Sequence, residues 1–292
     1  TEVSRSPKAP FTTSTLQQAA SSRLGYAPSR TMGIAQKLYE KGLITYMRTD
    51  STTLGAEAVA EISSVIEKNY GKEMLQVRQY KTKSKNAQEA HEAIRPTHAT
   101  SRSAGSTDDE KRLYSLIWER TVSSQMRDAV LKRSKVTANI PSKSIPNFSV
   151  TGSVLLSPGW LAVDQDARGD DVILPDLTAG DALNLVTLQS TQKETEPPHR
   201  YSEAGLIKEL EKRGIGRPST YASILSTIEA RGYVDKINKS LHPTDTGEVV
   251  ISFLEEHFSN YISDTFTAEM EDKLDLISDG KATYLKTLKD FY

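Results

Sequence analysis

The stretch with the narrowest structural interpretation is YSEAGLIKELEKRGIGRPSTYASILSTIEARGYV, residues 201–234. Ser202 is a residue type that caps helices, and the leucines and isoleucine after it recur on one helical face. The glycines and the proline of RGIGRP break this pattern. Ser219 then caps a second apolar helix that ends near Arg231. Two short helices joined by a glycine turn predict a helix-turn-helix.

The start of the second predicted helix has the composition of an anion-binding surface. Arg217, Ser219, Thr220 and Tyr221 fall there, where backbone N–H groups already favour anions. An arginine, two hydroxyls and an aromatic ring add phosphate and base-stacking contacts, which favours DNA binding. The alternative is a helical hairpin that only packs.

The rest of the chain divides by pattern into a helical part, a strand-rich part and a second helical part. Helices are predicted from Ser14 to Arg23, from Ser29 to Lys41, over residues 56–68 and after the acidic DDE at 108–110. VTANI, FSVTGSVLL and ALNLVTL (residues 136–140, 148–156 and 182–188) alternate like strands. We therefore expect a multidomain α+β chain with an initial segment 1–10, a helical domain 11–131, a β-rich segment 132–191 and a DNA-binding domain 192–292.

A tyrosine and an arginine stand at a turn that follows a predicted helix end. In GLITYMRTDS, residues 42–51, Tyr46 begins a loop that continues with Arg48. A phenol oxygen can attack a phosphodiester if a nearby cation stabilises the phosphate oxygens, and arginine can grip them through two N–H groups. The alternative is a tyrosine packed at a strand end beside a surface arginine.

A second cluster of charged residues lies in AQEAHEAIRPT, residues 87–97. The HE pair lacks the second histidine of a zinc protease motif, so a zinc site is not predicted. If the segment is helical, His91 and Arg95 lie on one face, which suits a phosphate. The alternative is a solvated helix face.

Composition excludes several classes of function. There is no cysteine, so disulfides, thiol nucleophiles and thiolate zinc sites are absent. The net charge is -1, but Lys and Arg outnumber Asp and Glu in residues 1–50 and 200–234, where phosphate contacts are predicted. No apolar run reaches the roughly 20 residues of a membrane helix. Asp164 and Asp166 form a DxD that we interpret as a solvated acidic loop.

Three long motifs together resemble the bacterial type IA DNA topoisomerases. They are LQQAASSRLGYAPSRTMGIAQKLYEKGLITYMRTDST, AQEAHEAIRPT and RYSEAGLIKELEKRGIGRPSTYASILSTIEARGYV, and they occur here in the order of that family. Weaker similarity in DTGEVVISFLEEHF and FTAEMEDKLD extends the resemblance over nearly the whole chain.

The resemblance implies roles for single residues. Tyr46 would attack a DNA phosphate and form a 5′-phosphotyrosine link, which Arg48 assists while His91 lies close to the cleaved strand. The resemblance implies a single-strand DNA-binding surface made by Gln36, Arg217, Ser219, Thr220, Tyr221 and Arg231. The implied activity is transient single-strand cleavage, strand passage and religation without ATP, which relaxes negative supercoils.

The resemblance also implies a setting for the reaction. The fold would be part of a toroid in which a mainly helical tyrosine domain with winged-helix-like parts joins a β-rich arch and a helical DNA-binding domain. The family's acidic toprim domain has no match here, so Mg²⁺ would be bound by that domain, no metal by this chain, and the chain alone would be inactive. The implied partners are single-stranded and negatively supercoiled DNA, met by a monomer in the bacterial cytoplasm with no membrane contact.

Two other functions fit parts of the sequence. A helix-turn-helix DNA-binding module without catalysis explains residues 201–234 but leaves ITYMRTDS and AHEAIRPT without a role. A tyrosine recombinase also uses Tyr, Arg and His, but that class places its nucleophile after its arginines and histidine. Here Tyr46 precedes them.

Overall fold

The computed structural model describes residues 1–80, 91–140, 142, 145–263 and 265–292. The chain forms two compact units, the first comprising Thr1–Lys8, Ile62–Arg78 and Val122–Pro198, the second Ala9–Glu61, Gln79–Thr121 and His199–Tyr292. The predicted combination of helices and small sheets is confirmed. The second unit joins segments that the sequence analysis assigns to different domains, and that division stays a prediction.

The first unit is built on a three-stranded antiparallel sheet of β1 (Glu2–Arg5), β2 (Ala129–Ala138) and β3 (Phe148–Ser157). Its central strand pairs with both others, and its register is irregular between Val130 and Leu131. The buried Trp160 donates from its indole N–H to the carbonyl oxygen of Arg5 at 2.7 Å, and the Arg5 guanidinium lies over the indole ring. This contact fixes the turn after β3 against β1.

One sequence interpretation in this unit is wrong, and another is wrong for one of its two residues. ALNLVTL, residues 182–188, forms no strand, and its Leu185 and Val186 are 75% and 92% exposed. Alternation alone cannot make a strand, because the backbone groups need a neighbouring strand to pair with, and none pairs with this segment in the described chain. Within the acidic pair, Asp166 is exposed as expected, but Asp164 is buried, because it follows the buried turn Gly159–Ala162 and its N–H donates to the carbonyl of Trp160.

The second unit begins with helices α1 (Thr13–Leu24) and α2 (Pro28–Glu40). Helix α1 is capped by Thr12, in a reciprocal pair with Thr15, rather than by the predicted Ser14. Helix α2 starts one residue before the predicted cap Ser29, because Pro28 at the first position already holds a helical φ. The two helices are followed by glycines with positive φ, Gly25 and Gly42.

Helices α3 (Ala56–Tyr70) and α4 (Asp108–Ser124) follow near their predicted places. The core of the second unit consists of large apolar side chains that are almost fully buried: Phe11, Leu16, Leu38, Ile44, Ile94, Leu113, Ile117 and Trp118. The Trp118 indole N–H donates to the carbonyl of Ala99 at 2.7 Å. This core surrounds the loop that follows α2.

The predicted helix-turn-helix is present as α5 (Glu203–Arg213) and α6 (Tyr221–Ala230). Ser202 caps α5 as predicted, but Thr220 and not Ser219 precedes α6. The hydroxyl of Thr220 accepts the N–H of Arg217 at 2.8 Å, which closes the turn one residue later than expected. A hairpin of β4 (Val234–Ile237) and β5 (Ser240–Pro243) follows through two residues with positive φ, Asn238 and Lys239. The four elements make a winged helix.

Three further helices complete the described chain: α7 (Asp245–His257), α8 (Phe266–Ser278) and α9 (Tyr284–Phe291). Many of their apolar side chains are exposed, among them Val249, Phe253, Tyr284 and Leu285. Along the described chain, no helix is both long and apolar enough to span a membrane.

Two glycines of the first unit provide a matched test of its packing. Gly159 and Gly169 both have positive φ, but a Cβ on Gly159 would collide with the carbonyls of Arg127 and Asp128, whereas nothing lies within 4 Å of Gly169. Gly169→Ala should lower the free energy of unfolding by about 1 kcal/mol, the cost of a left-handed alanine. Gly159→Ala should lower it by about 3 kcal/mol or more, because backbone must also move. Equal losses in urea denaturation would contradict the described turn.

Candidate active site

The loop after α2 has alternating burial that places Tyr46 and Arg48 on one face. Met47, Thr49 and Ser51 are 3%, 2% and 3% exposed, whereas Tyr46 is 38% exposed and Arg48 is exposed as well. An extended backbone points successive side chains to opposite sides. The phenol and the guanidinium therefore face solvent together while their neighbours anchor the loop.

The Tyr46 ring lies between two other rings. Tyr39 of α2 meets it edge-on with centroids 5.3 Å apart, and the His91 imidazole lies at 5.8 Å. No described group forms a hydrogen bond with the Tyr46 hydroxyl. The ring is thus held by its neighbours while its oxygen stays open to a ligand.

His91 reaches Tyr46 because their two segments run side by side. The N–H of Thr45 donates to the carbonyl of Arg95 at 2.9 Å, and the Thr45 hydroxyl donates to the carbonyl of Ala93 at 2.7 Å. Ile44 and Pro96 form an isolated antiparallel bridge. The described part of the AQEAHEAIRPT motif, from His91 onward, is therefore extended and not helical; its first four residues lie outside the described chain.

The extended backbone removes the helical face that would place Arg95 beside His91. Arg95 instead forms an ion pair with Glu92, at 2.6 Å, and donates to the carbonyl of Pro96. The other carboxylate oxygen of Glu92 accepts the N–H of Gly55 at 2.7 Å. Arg48 differs, because no described residue forms an ion pair or hydrogen bond with its guanidinium. Arg48 is thus the cation next to Tyr46 that remains open to an anion.

Helix α1 anchors the loop after α2 through Thr13, which is fully buried. The Thr13 hydroxyl donates to the carbonyl of Met47 at 2.8 Å and accepts the N–H of Thr49 at 2.9 Å. The backbone N–H of Thr13 donates to the carbonyl of Thr49 at 2.9 Å. These bonds bracket Arg48, and no local sequence signal predicts them, because their partners lie 34 and 36 positions apart.

The same turn of α1 also contacts the winged helix. Ser14, next to Thr13, donates from its hydroxyl to the carboxylate of Glu211 on α5 at 2.6 Å. Helix α1 therefore lies between the Tyr46 loop and the helix pair predicted to bind DNA.

The predicted DNA-binding residues differ in exposure. Ser219 and Arg231 are exposed, and Arg231 has no described ion-pair partner. Gln36 is exposed on α2 and donates to Glu40 at 2.8 Å. Thr220 is half-buried, with its hydroxyl in the turn before α6.

Arg217 is engaged within the protein. Its guanidinium donates to Asp275 on α8 at 2.7 Å and to the carbonyl of Gly216 at 2.9 Å, with Glu271 at 3.6 Å. Burial opposes its charge, but these carboxylates outweigh burial and raise the pKa of Arg217. Its charge is therefore largely compensated by α8.

Tyr221 disagrees with the predicted base-stacking role. It is 6% exposed and packs in the winged-helix core with Ile207, Leu225 and Leu241. Burial raises the pKa of Tyr221 to about 12, and the negative charges of Glu211 and Asp50 act in the same direction. Its ring supports α6 from inside in this structure. Among the described residues, no three His, Cys, Asp or Glu side chains converge as a metal site.

Comparisons with known proteins agree with one another. Residues 1–289 match the DNA topoisomerase family. The chain is 47% identical over 292 residues to the DNA topoisomerase 1 of Vibrio cholerae, covering 98% of this chain and 33% of that protein. It is 46% identical over 301 residues to the DNA topoisomerase 1 of Synechocystis, with 99% and 33% covered. The chain thus spans about one third of the length of these relatives.

A solved structure shows the same fold. The full-length topoisomerase I from Thermotoga maritima superposes with a TM-score of 0.88 at 37% identity, covering 100% of this chain and 50% of that chain. The likeness therefore includes the loop after α2 and the winged helix together.

The burial of Tyr221 predicts how stability depends on pH. Because its folded pKa lies near 12 and an unfolded tyrosine titrates near 10, the folded state holds the proton more tightly. The free energy of unfolding should be unaffected below about pH 10 and fall as the pH rises from about 10 to 12. Tyr221→Phe should reduce that fall, measured by urea denaturation at each pH. The exposed Tyr201→Phe is the control, and an equal effect of both variants would contradict the assignment.

Proposed function

This chain belongs to the DNA topoisomerase family, as the bacterial type IA enzymes do, and we propose that Tyr46 is the nucleophile with which the protein cleaves one DNA strand. One observation carries the assignment: Tyr46 and Arg48 share the exposed face of a loop whose alternate residues are buried. The pairing of an open phenol with an uncompensated guanidinium is what attack on a phosphate requires.

The reaction is a transesterification. The Tyr46 oxygen forms a bond to the DNA phosphorus, the bond from phosphorus to the 3′ oxygen breaks, and the 3′ oxygen leaves with a proton as a hydroxyl. The phenol proton is lost in the same exchange, so protons balance. Because one phosphate ester replaces another, religation by the 3′ hydroxyl needs no ATP. Passage of a strand through the gap changes the linking number and relaxes negative supercoils.

Arg48 and His91 support this step from two sides. The Arg48 guanidinium can donate two N–H groups to the phosphate oxygens, whose negative charge grows in the transition state. His91, whose ring lies beside that of Tyr46, is close enough to serve the phosphate or the leaving oxygen. Arg95 stabilises the conformation of the His91 segment and adds little positive charge to the site, because Glu92 already neutralises its guanidinium.

The single strand is held by the exposed residues of the winged helix and of α2. On the winged helix, Ser219 and Arg231 offer an exposed hydroxyl and cation, and on α2 Gln36 offers an exposed amide. Thr220 and Tyr221 shape the start of α6 from within. Arg217 can bind a phosphate only if its hydrogen bond with Asp275 breaks.

Magnesium is expected for this class of enzyme, but the described residues do not fit a magnesium site. Its ligands would then lie outside the described residues, and no step above depends on the ion. The chain alone binds single-stranded DNA without relaxing supercoils, and the whole protein works as a monomer in the bacterial cytoplasm.

A DNA-binding module without catalysis is not favoured. The family match extends over residues 1–289, including the Tyr46 loop and the His91 segment, which such a module would not need.

The nucleophile can be identified by substitution of two neighbouring tyrosines. The test requires a chimera in which this chain replaces the matching third of the DNA topoisomerase 1 of Vibrio cholerae. Tyr46→Phe should abolish the covalent protein–DNA adduct trapped by denaturation, because no other phenol reaches the phosphate. Tyr39→Phe is the matched control, since Tyr39 is similarly exposed and touches the same ring, and it should retain the adduct. An adduct with Tyr46→Phe would refute the assignment.

The role of His91 has a pH signature. Histidine changes charge between about pH 5 and 8, whereas arginine stays charged. In the same chimera, His91→Ala should reduce cleavage about tenfold to a hundredfold, the scale of one charge or proton contact. His91→Arg should recover part of the loss and flatten the pH profile between about 6 and 8.

The matched control is His98, an exposed histidine on the same segment. His98→Ala should cleave like the parent. If His91→Ala and His91→Arg also cleave like the parent across this pH range, His91 has no part in the reaction.

A further inference from the structure

We propose that Thr13, the first residue of α1, is a positioning residue that fixes Arg48 for strand cleavage. The proposal rests on the proposed function of the Tyr46 loop. It assigns to Thr13 a role in the reaction that acts through the backbone on both sides of Arg48.

The bonds of Thr13 leave the backbone around Arg48 little freedom. Its single hydroxyl proton faces the carbonyl of Met47 at 2.8 Å and that of Thr49 at 3.1 Å, and its oxygen accepts the N–H of Thr49 at 2.9 Å. The Thr49 carbonyl is taken by the backbone N–H of Thr13. The peptide groups before and after Arg48 are therefore attached to the same residue.

Burial makes these bonds irreplaceable. Thr13, Met47 and Thr49 are 0%, 3% and 2% exposed, so water cannot substitute for a lost hydroxyl. A buried carbonyl or N–H left without a partner is costly, and the loop would move to satisfy it. Loss of the Thr13 hydroxyl therefore displaces the backbone of Arg48, and does not merely leave a small cavity beside an unchanged loop.

Arg48 needs such support because nothing described holds its side chain. Arg95 and Arg217 are oriented by Glu92 and Asp275, but Arg48 has no described partner. A long side chain then keeps its rotamer freedom, and its position at a phosphate depends on its backbone. Displacement of a catalytic group by about 1 Å costs on the order of a hundredfold in rate.

The Tyr46 side of the loop has a separate anchor. The Thr45 hydroxyl donates to the carbonyl of Ala93 and accepts the N–H of Arg95 at 3.0 Å. Thr45 thus links the Tyr46 side of the loop to the His91 segment, whereas Thr13 holds the backbone on both sides of Arg48. Loss of the Thr13 hydroxyl should therefore impair the contribution of Arg48 and leave the Tyr46–His91 pair in place.

The geometric part is tested on the chain itself by amide hydrogen exchange. Thr13→Val, which keeps the shape but loses the hydroxyl, should accelerate exchange at Thr49 about tenfold or more. Thr13→Ser should retain most of the protection. Thr31→Val is the matched control, because Thr31 is also fully buried and its hydroxyl donates locally, to the carbonyl of the helix cap Ala27 at 3.1 Å. Unchanged protection in Thr13→Val would overturn the proposal.

The functional part is tested in the chimera by the rate of adduct formation. Thr13→Val should slow cleavage about tenfold to a hundredfold, Thr13→Ser should restore most of it, and Thr31→Val should cleave like the parent. In an Arg48→Ala background, Thr13→Val should have no further effect, because two residues that act through one contact are not additive.

Two outcomes would overturn the role of Thr13 alone: parent-like cleavage by Thr13→Val, or its full effect persisting without Arg48. Failure of the unsubstituted chimera to form an adduct at Tyr46 would instead contradict the proposed function, and with it this inference. Hydrogen exchange at Thr49 would still report on the geometry, so the two failures are distinguishable.

Discussion

The need of buried backbone groups for partners organises the candidate site. Three irregular segments, residues 11–12, 44–49 and 91–96, contribute to the core without belonging to a sheet of the described chain. They satisfy one another through the isolated bridges of Phe11 with Ile94 and of Ile44 with Pro96, and through the bonds of Thr13. Because these pairings fix which residues face inward, they also determine that the phenol and the guanidinium face outward together, with the half-buried imidazole beside the phenol ring.

The sequence predicts the elements of this fold well where the signal is local. Ser202 and Gly214 bound α5 as expected, and FSVTGSVLL is a strand. Helix starts at Ser14, Ser29 and Ser219 were wrong by one or two residues because neighbouring Thr12, Pro28 and Thr220 compete for the same position. ALNLVTL was wrong because its alternation requires a partner strand, which no local pattern reveals.

The sequence names candidate site residues but does not predict how they are arranged. In the sequence, Arg48, Arg95 and Arg217 are equivalent cations. In the structure, Glu92 neutralises the charge of Arg95 and Asp275 that of Arg217. Motif and resemblance point to Tyr46, Arg48 and His91, but they place Tyr221 on a surface where the structure buries it. Hydrogen bonds such as those of Thr13 join distant residues, and a single sequence carries no record of them.

Thr13 and Ser14 are consecutive residues with different duties, one bonded to the loop of Arg48 and the other to Glu211 of α5. A single helical turn is therefore bonded both to the loop of the proposed nucleophile and to the winged helix. For a single strand that lies on both, the distance between them corresponds to a fixed number of nucleotides between the place where the strand is gripped and the place where it is cut. The first turn of α1 would then fix this spacing. Insertion of one residue in that turn would shift the cleavage position along the strand and leave the affinity for the strand unchanged.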